Sequence, residues 1–68
     1  MSEECAEIID CIIKIRKQKG ITQKQLAYYT KINQSAIARL ESKKVIPTIE
    51  TLLRIASALS IKIKMEDI

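Results

Sequence analysis

Residues 21–41 read ITQKQLAYYTKINQSAIARLE, and this stretch decides the fold. Thr22 followed three residues later by Gln25 is the S/T-x-x-E/Q capping box, so a helix is predicted to begin directly after Thr22. The apolar period then breaks, and Asn33 is a good N-cap for a second helix. Two short helices that cross steeply over a tight turn need close backbone approach, which the small side chain of Ala27 allows.

The second helix of this stretch has two distinct faces. Ile37 and Leu40 are predicted to point into a core, and the remaining polar or small side chains point outward. The outward side chains are Gln34, Ser35, Ala36 and Arg39. A row of amide, hydroxyl and guanidinium groups on an exposed helix is suited to reading the edges of DNA bases. The pattern therefore predicts DNA recognition.

The length and composition of the chain limit its size, its type of core and its location in the cell. The chain has 68 residues, enough for one small domain, and its core must be aliphatic because it contains no Phe and no Trp. It contains no apolar run of roughly 18 residues that could span a membrane. Its first residues are acidic, unlike a secretory signal, which predicts a cytoplasmic protein with no membrane partner.

Catalytic and metal chemistry are not predicted. The chain has no His, and its two cysteines, Cys5 and Cys11, are too far apart along one helix to form a disulfide. They are predicted to be ordinary small apolar residues in a reducing compartment. With no nucleophile pair, no glycine-rich phosphate loop and no metal-ligand spacing, we expect no enzyme activity, cofactor, metal or small-molecule ligand.

The charges are unevenly distributed. Residues 1–13 carry four acids and no base, whereas residues 14–44 carry nine bases and one acid. The basic segment coincides with the two-helix unit and its flanks. This is where the phosphates of a bound duplex are expected to lie.

Helices are also predicted on both sides of the central unit. Ser2 is suited to cap a first helix that ends at Gly20 in the left-handed conformation. Its predicted buried positions are Cys5, Ile8, Ile12 and Ile15. Ile9 and Ile13 widen this stripe, and are either surface aliphatics or contacts to another subunit.

Pro47 excludes helix before it, and Thr48 caps a fourth helix at roughly residues 49–59. The predicted buried side chains of this helix are Leu52, Ile55, Ala56 and Leu59. Residues 61–65 alternate between apolar and charged side chains, which is typical of a strand. Since a lone strand is unstable, it would pair with the same strand of a second copy. The alternatives are a frayed tail or a fifth short helix.

These residues resemble the Cro and lambda-repressor class of helix-turn-helix proteins. The resemblance covers about residues 12–60. It rests on Arg16-x-x-x-Gly20-Ile21-Thr22-Gln23-x-x-Leu26-Ala27, Ser35-x-Ile37-x-x-x-Glu41, Pro47-Thr48-x-x-Thr51-Leu52 and Ile55-Ala56-x-Ala58-Leu59. It implies an all-α fold, a compact bundle of four or five helices in residues 1–60 with helix 3 as the recognition helix. Residues 61–68 form a C-terminal tail, the candidate dimerisation strand of the alternating pattern above.

The resemblance also implies roles for individual residues. Side chains that reach base edges would be Gln34, Ser35 and Arg39. Side chains that hold the phosphate backbone would be Gln23, Asn33, Lys43 and Lys44. Arg16 and Glu41 match two family positions whose charges meet across helices, so a structural ion pair is expected. Lys31, Lys43 and Ser60 stand where the family usually has glycine, and each left-handed residue would cost about 1 kcal/mol.

The leading functional hypothesis is a homodimeric repressor that binds a near-palindromic site in double-stranded DNA. The alternative is an antitoxin that binds a toxin protein and regulates its own operon, because the alternating tail resembles antitoxins of this class. RNA binding is less favoured, since single-stranded RNA readers stack bases on aromatic side chains and this chain offers only Tyr28 and Tyr29.

Overall fold

A computed structural model describes residues 1–62, which form four α-helices and no strand. The helices are α1 (Glu3–Gln18), α2 (Gln23–Thr30), α3 (Gln34–Glu41) and α4 (Ile49–Ala58). The predicted all-α helix-turn-helix fold is thereby confirmed. Among these described residues, no helix is long and apolar enough to cross a membrane.

Each helix begins where its capping residue predicts. The four N-caps are Ser2, Thr22, Asn33 and Thr48, and each side chain accepts a hydrogen bond from a backbone N–H of the first turn. The capping box of α2 is complete, since Gln25 N–H donates to Thr22 Oγ1 at 3.0 Å and Thr22 N–H donates to Gln25 Oε1 at 2.9 Å. Local sequence therefore sets all four helix starts.

Within residues 1–62, four residues adopt the left-handed conformation at helix ends. Gly20 has a φ of 68°, and the three residues that stand in for glycine, Lys31, Lys43 and Ser60, have φ values of 57°, 62° and 57°. The left-handed conformation is therefore kept at these three positions without glycine. This conformation lowers the stability of the fold by about 1 kcal/mol at each of the three non-glycine positions.

The core is aliphatic, as predicted, but one face of α1 was assigned incorrectly. The buried cluster comprises Ile9, Ile12, Leu26, Ile37, Leu40, Ile55 and Leu59. Ile9 is fully buried, whereas Ile8 is 47% exposed, the reverse of the prediction. The buried row of α1 runs from Ile9 through Ile12 to Arg16, and the burial of Arg16 fixes the rotation of the helix.

Helix α3 is held from one side only. α2 packs against both α3 and α4, and α1 packs against α3. Ile37 and Leu40 are buried between these helices, so the opposite side of α3 faces solvent.

The predicted strand lies mostly outside the described residues. Only its first residues, Ile61 and Lys62, are described; the Ile61 backbone N–H donates to the carbonyl oxygen of Ala56 at 2.7 Å, and the Ile61 side chain packs against the core. The dimerisation strand predicted for residues 61–68 therefore stays a prediction.

Candidate nucleic-acid interface

The exposed side of α3 presents the three predicted base-reading side chains together. Gln34, Ser35 and Arg39 are exposed, while Ile37 on the opposite side is fully buried. Ser35 and Arg39 are four positions apart and share the side of the helix away from Ile37, and Gln34 is exposed beside them in the first turn. The helix thus offers an amide, a hydroxyl and a guanidinium to one partner.

Asn33 caps α3 and lies beside this row. Its Oδ1 accepts a hydrogen bond from the Ser35 backbone N–H at 2.7 Å. The side-chain oxygen is therefore engaged in capping, and the side-chain NH₂ group is the part left to donate to a phosphate oxygen. The predicted phosphate contact is compatible with this geometry.

A buried network fixes the two ends of the helix-turn-helix unit. Arg16 donates from Nε to Glu41 Oε2 at 2.7 Å and from Nη2 to Glu41 Oε1 at 2.8 Å. Arg16 Nη1 also donates to the carbonyl oxygen of Ile21 at 2.8 Å. The side chains of Arg16 and Glu41 are only 9% and 6% exposed. Such a bidentate and fully bonded pair joins α1, the start of α2 and the end of α3.

Gln23 is part of the same network. Its Nε2 donates to Glu41 Oε1 at 3.0 Å, a contact that spacing along the sequence did not reveal. An amide nitrogen carries two hydrogens, so one N–H holds Glu41 and the other remains for a phosphate. Gln23 is also the first residue of α2, where the helix dipole favours a negative ligand.

The two predicted phosphate-binding lysines after α3 have different surroundings. Lys44 is exposed, whereas the Nζ of Lys43 lies 2.7 Å from Asp10 Oδ1 on α1. This ion pair was not predicted, because its partners lie far apart in the sequence. Its side chains are 38% and 61% exposed for Lys43 and Asp10, so water screens it.

The two tyrosines lie at the end of α2 near the start of α3. Tyr28 and Tyr29 are 80% and 56% exposed, and their rings meet edge to face with centroids 5.8 Å apart. They line a shallow depression together with Lys31 and Asn33. This depression therefore adjoins the N-terminus of α3.

Comparison with known proteins identifies the family of this chain. Residues 12–64 match the family model described as helix-turn-helix. An uncharacterised transcriptional regulator of the helix-turn-helix type from Haemophilus influenzae is 40% identical over 52 residues, which are 76% of this chain and 53% of the relative. The chain thus spans about half the length of this curated relative. No solved structure matches the chain.

Proposed function

The chain belongs to the helix-turn-helix family, as its resemblance to the Cro and lambda-repressor class predicted, and from this premise we propose that it is a sequence-specific transcriptional regulator of double-stranded DNA. It acts in the cytoplasm as a homodimeric repressor on a near-palindromic operator. In this proposal α3 is the recognition helix and lies in the major groove.

The observation that carries the proposal is the exposed row on α3. Gln34 can bind adenine bidentately and Arg39 can bind guanine, and each such contact contributes about 1–3 kcal/mol of discrimination. Ser35 adds a hydroxyl that donates or accepts. Because these side chains are exposed on a helix whose Ile37 and Leu40 are buried against the fold, they are available to a groove rather than to the core.

Phosphate contacts flank this row. The side-chain amides of Gln23 and Asn33 each keep an N–H group to donate, and Lys44 adds an exposed ammonium. These contacts set the position of the protein on the duplex but carry no sequence information. A steep dependence of affinity on salt concentration is expected from them.

Dimerisation explains how so short a recognition helix can be selective. One helix reads only a few base pairs, whereas two helices about one helical turn apart, roughly 34 Å, read a longer palindrome. Repression then follows from occupancy of the operator.

Selection of binding sites from random duplexes, followed by sequencing, tests the proposal. We expect an enriched near-palindrome whose half-sites are about 10 base pairs apart. Enrichment of no sequence, together with equal affinity for all duplexes, would exclude specific regulation. Selection of single-stranded RNA instead would favour the RNA-binding hypothesis.

The antitoxin alternative is supported by the sequence of the tail alone. Under that alternative the same DNA-binding surface serves autoregulation, and a toxin protein is the second partner. Co-expression with the product of the neighbouring gene distinguishes the two, because only an antitoxin forms a stable complex with it.

A further inference from the structure

The carboxylate of Glu41 accepts one hydrogen bond more than its pairing with Arg16 requires. Arg16 already occupies both carboxylate oxygens, Oε2 through Nε at 2.7 Å and Oε1 through Nη2 at 2.8 Å. Gln23 Nε2 donates to the same Oε1 at 3.0 Å. The side chain of Glu41 is 6% exposed, whereas Gln23 is half-buried at the start of α2. The additional bond therefore connects a buried acceptor to a side chain that reaches the surface.

This bond sets the orientation of the Gln23 amide. A carboxylate only accepts hydrogen bonds, whereas a glutamine amide has a donating NH₂ end and an accepting oxygen end. If the amide turned over, Gln23 Oε1 would face Glu41 Oε1 with no hydrogen between the two acceptors. Glu41 therefore keeps the NH₂ end of Gln23 toward itself, with one N–H bonded and the other left to donate elsewhere.

The acceptor is itself held in place. Besides its two bonds to Glu41, Arg16 donates from Nη1 to the carbonyl oxygen of Ile21 at 2.8 Å, and its side chain is 9% exposed. The bidentate geometry leaves the Glu41 carboxylate little freedom to rotate. Gln23 thus loses much of its rotamer freedom when the chain folds, and need not lose it again when it binds a ligand.

The charges at this position suit a phosphate. The carboxylate of Glu41 is balanced by the guanidinium of Arg16, so an anion bound to Gln23 meets no uncompensated negative charge. Gln23 is the first residue of α2, where the helix dipole favours an anion, and the neighbouring Lys24 is exposed.

We infer that Glu41 is a positioning residue for DNA binding: it orients the Gln23 amide so that the remaining N–H meets a phosphate of the duplex. The inference rests on the proposed function and adds that affinity depends on a buried acid that does not itself contact DNA. Because a phosphate carries no base identity, the contribution should be the same on every sequence. Because the amide is neutral, Gln23 should not affect the salt dependence of binding.

The test is a double-variant cycle of Gln23→Ala and Glu41→Gln, measured by fluorescence anisotropy on the selected duplex and on one of unrelated sequence. Gln23→Ala should weaken binding about tenfold per bound copy with an unchanged salt slope. A glutamine at position 41 has a donating end as well as an accepting one, so it no longer fixes the Gln23 amide. In the Glu41→Gln chain, Gln23→Ala should therefore weaken binding by no more than about twofold.

Lys44→Ala is the matched control for this cycle. Lys44 is exposed and has no bond to the network, so its substitution should weaken binding by the same factor in the wild-type and Glu41→Gln chains. All affinities are compared under conditions in which circular dichroism shows the variants to be folded. A loss of stability alone would leave the factors for Gln23→Ala equal in both chains, whereas a positioning role makes them differ.

A second measurement needs only the wild-type chain and decides the matter if Glu41→Gln does not fold. In NMR spectra, the Gln23 side-chain amide protons should show a nuclear Overhauser effect to Glu41 Hγ before and after the duplex is added. The amide proton that is not bonded to Glu41 should shift on binding. Gln18, exposed at the end of α1, is the control and should not shift. Loss of the Overhauser effect on binding, or Gln23 amide protons that do not shift, would overturn the inference.

Two binding results would also overturn it. One is a Gln23→Ala chain that is less stable but binds DNA like the wild type, which would make the hydrogen bond purely structural. The other is an equal loss from Gln23→Ala in both chains. Either result can accompany selection of an operator, and the proposed function would then stand. Unequal losses on duplexes of unrelated sequence, with no sequence selected, would defeat the proposed function and leave the role of Glu41 standing.

Discussion

Two charged contacts join α1 to the C-terminal end of α3, and they differ in burial rather than in length. The Nε of Arg16 lies 2.7 Å from Glu41 Oε2, and the Nζ of Lys43 lies 2.7 Å from Asp10 Oδ1. The first pair is less than a tenth exposed. In the second pair, Lys43 is 38% and Asp10 is 61% exposed.

Equal distances therefore correspond to different roles. Removing one partner of a buried pair leaves a desolvated charge without compensation, at a cost of about 3–5 kcal/mol. An exposed pair contributes about 0–1 kcal/mol, because water and salt screen it. The buried contact fixes the geometry of the helix-turn-helix unit, whereas the exposed contact is weak enough for Lys43 to exchange Asp10 for a phosphate, as its proposed DNA contact requires.

The largest expected effect is that of Glu41→Ala. The change leaves the Arg16 guanidinium buried without its carboxylate, so the free energy of unfolding should fall by about 3–5 kcal/mol. That loss is a large part of the stability of a small domain. Urea denaturation followed by circular dichroism measures it.

The matched control is Asp10→Asn, which removes the acid of the exposed pair. Its free energy of unfolding should change by no more than about 1 kcal/mol. If Glu41→Ala does not fold, Glu41→Gln replaces it in the test. Glu41→Gln should also lose more stability than Asp10→Asn. Equal losses at Glu41 and Asp10 would refute the distinction between the two contacts.

Arg39→Ala is expected to have the next largest effect, on specificity rather than stability. Arg39 is exposed on α3 and proposed to contact a guanine, so its loss should reduce discrimination at one base position by about 1–3 kcal/mol. Competition binding with a set of single-base operator variants measures this. Equal weakening on every duplex would contradict base reading by Arg39.

Lys44→Ala should instead weaken binding to every duplex alike. Lys44 is proposed to contact a phosphate, and losing one such contact should lower the slope of log affinity against log salt by about one. Fluorescence anisotropy across a salt series measures the slope. The control is Lys62→Ala, a change at a lysine near the end of the described residues, whose slope is compared with that of Lys44→Ala. A loss confined to one operator sequence would reassign Lys44 to base recognition.

The smallest expected effect tests the exposed contact directly. Asp10→Asn should raise affinity for DNA by up to about fivefold at low salt, because it releases Lys43 and removes a negative charge. The gain should vanish in the double variant Asp10→Asn with Lys43→Ala. If Asp10→Asn weakens binding, Asp10 positions Lys43 rather than competing for it.

Local signals in the sequence predicted much of this fold. Thr22 and Thr48 specify helix starts through their own neighbours, whereas the left-handed conformation of Lys31, where the resembled family usually has glycine, was left open by the sequence. The choice between Ile8 and Ile9 failed for a physical reason. Two adjacent isoleucines give the same apolar signal, and only the tertiary pairing of Arg16 rotates Ile9 inward.

The candidate site was predictable in orientation but not in contacts. The exposure of Ser35 and Arg39, which are four residues apart on the side of α3 away from Ile37, follows from the helical period. The hydrogen bond from Gln23 to Glu41 and the ion pair between Lys43 and Asp10 join residues far apart in the sequence. Such contacts depend on how the helices pack, which periodicity along one helix does not specify.

The most direct test of the central claim is an NMR titration of the isotopically labelled chain with its selected duplex. If α3 lies in the major groove, the largest amide shifts should fall in residues 33–44 and at the start of α2. Residues 3–8 of α1, three of which are glutamates and none of which is proposed to contact DNA, should shift least. Large shifts in residues 3–8 with none in residues 33–44 would contradict the account.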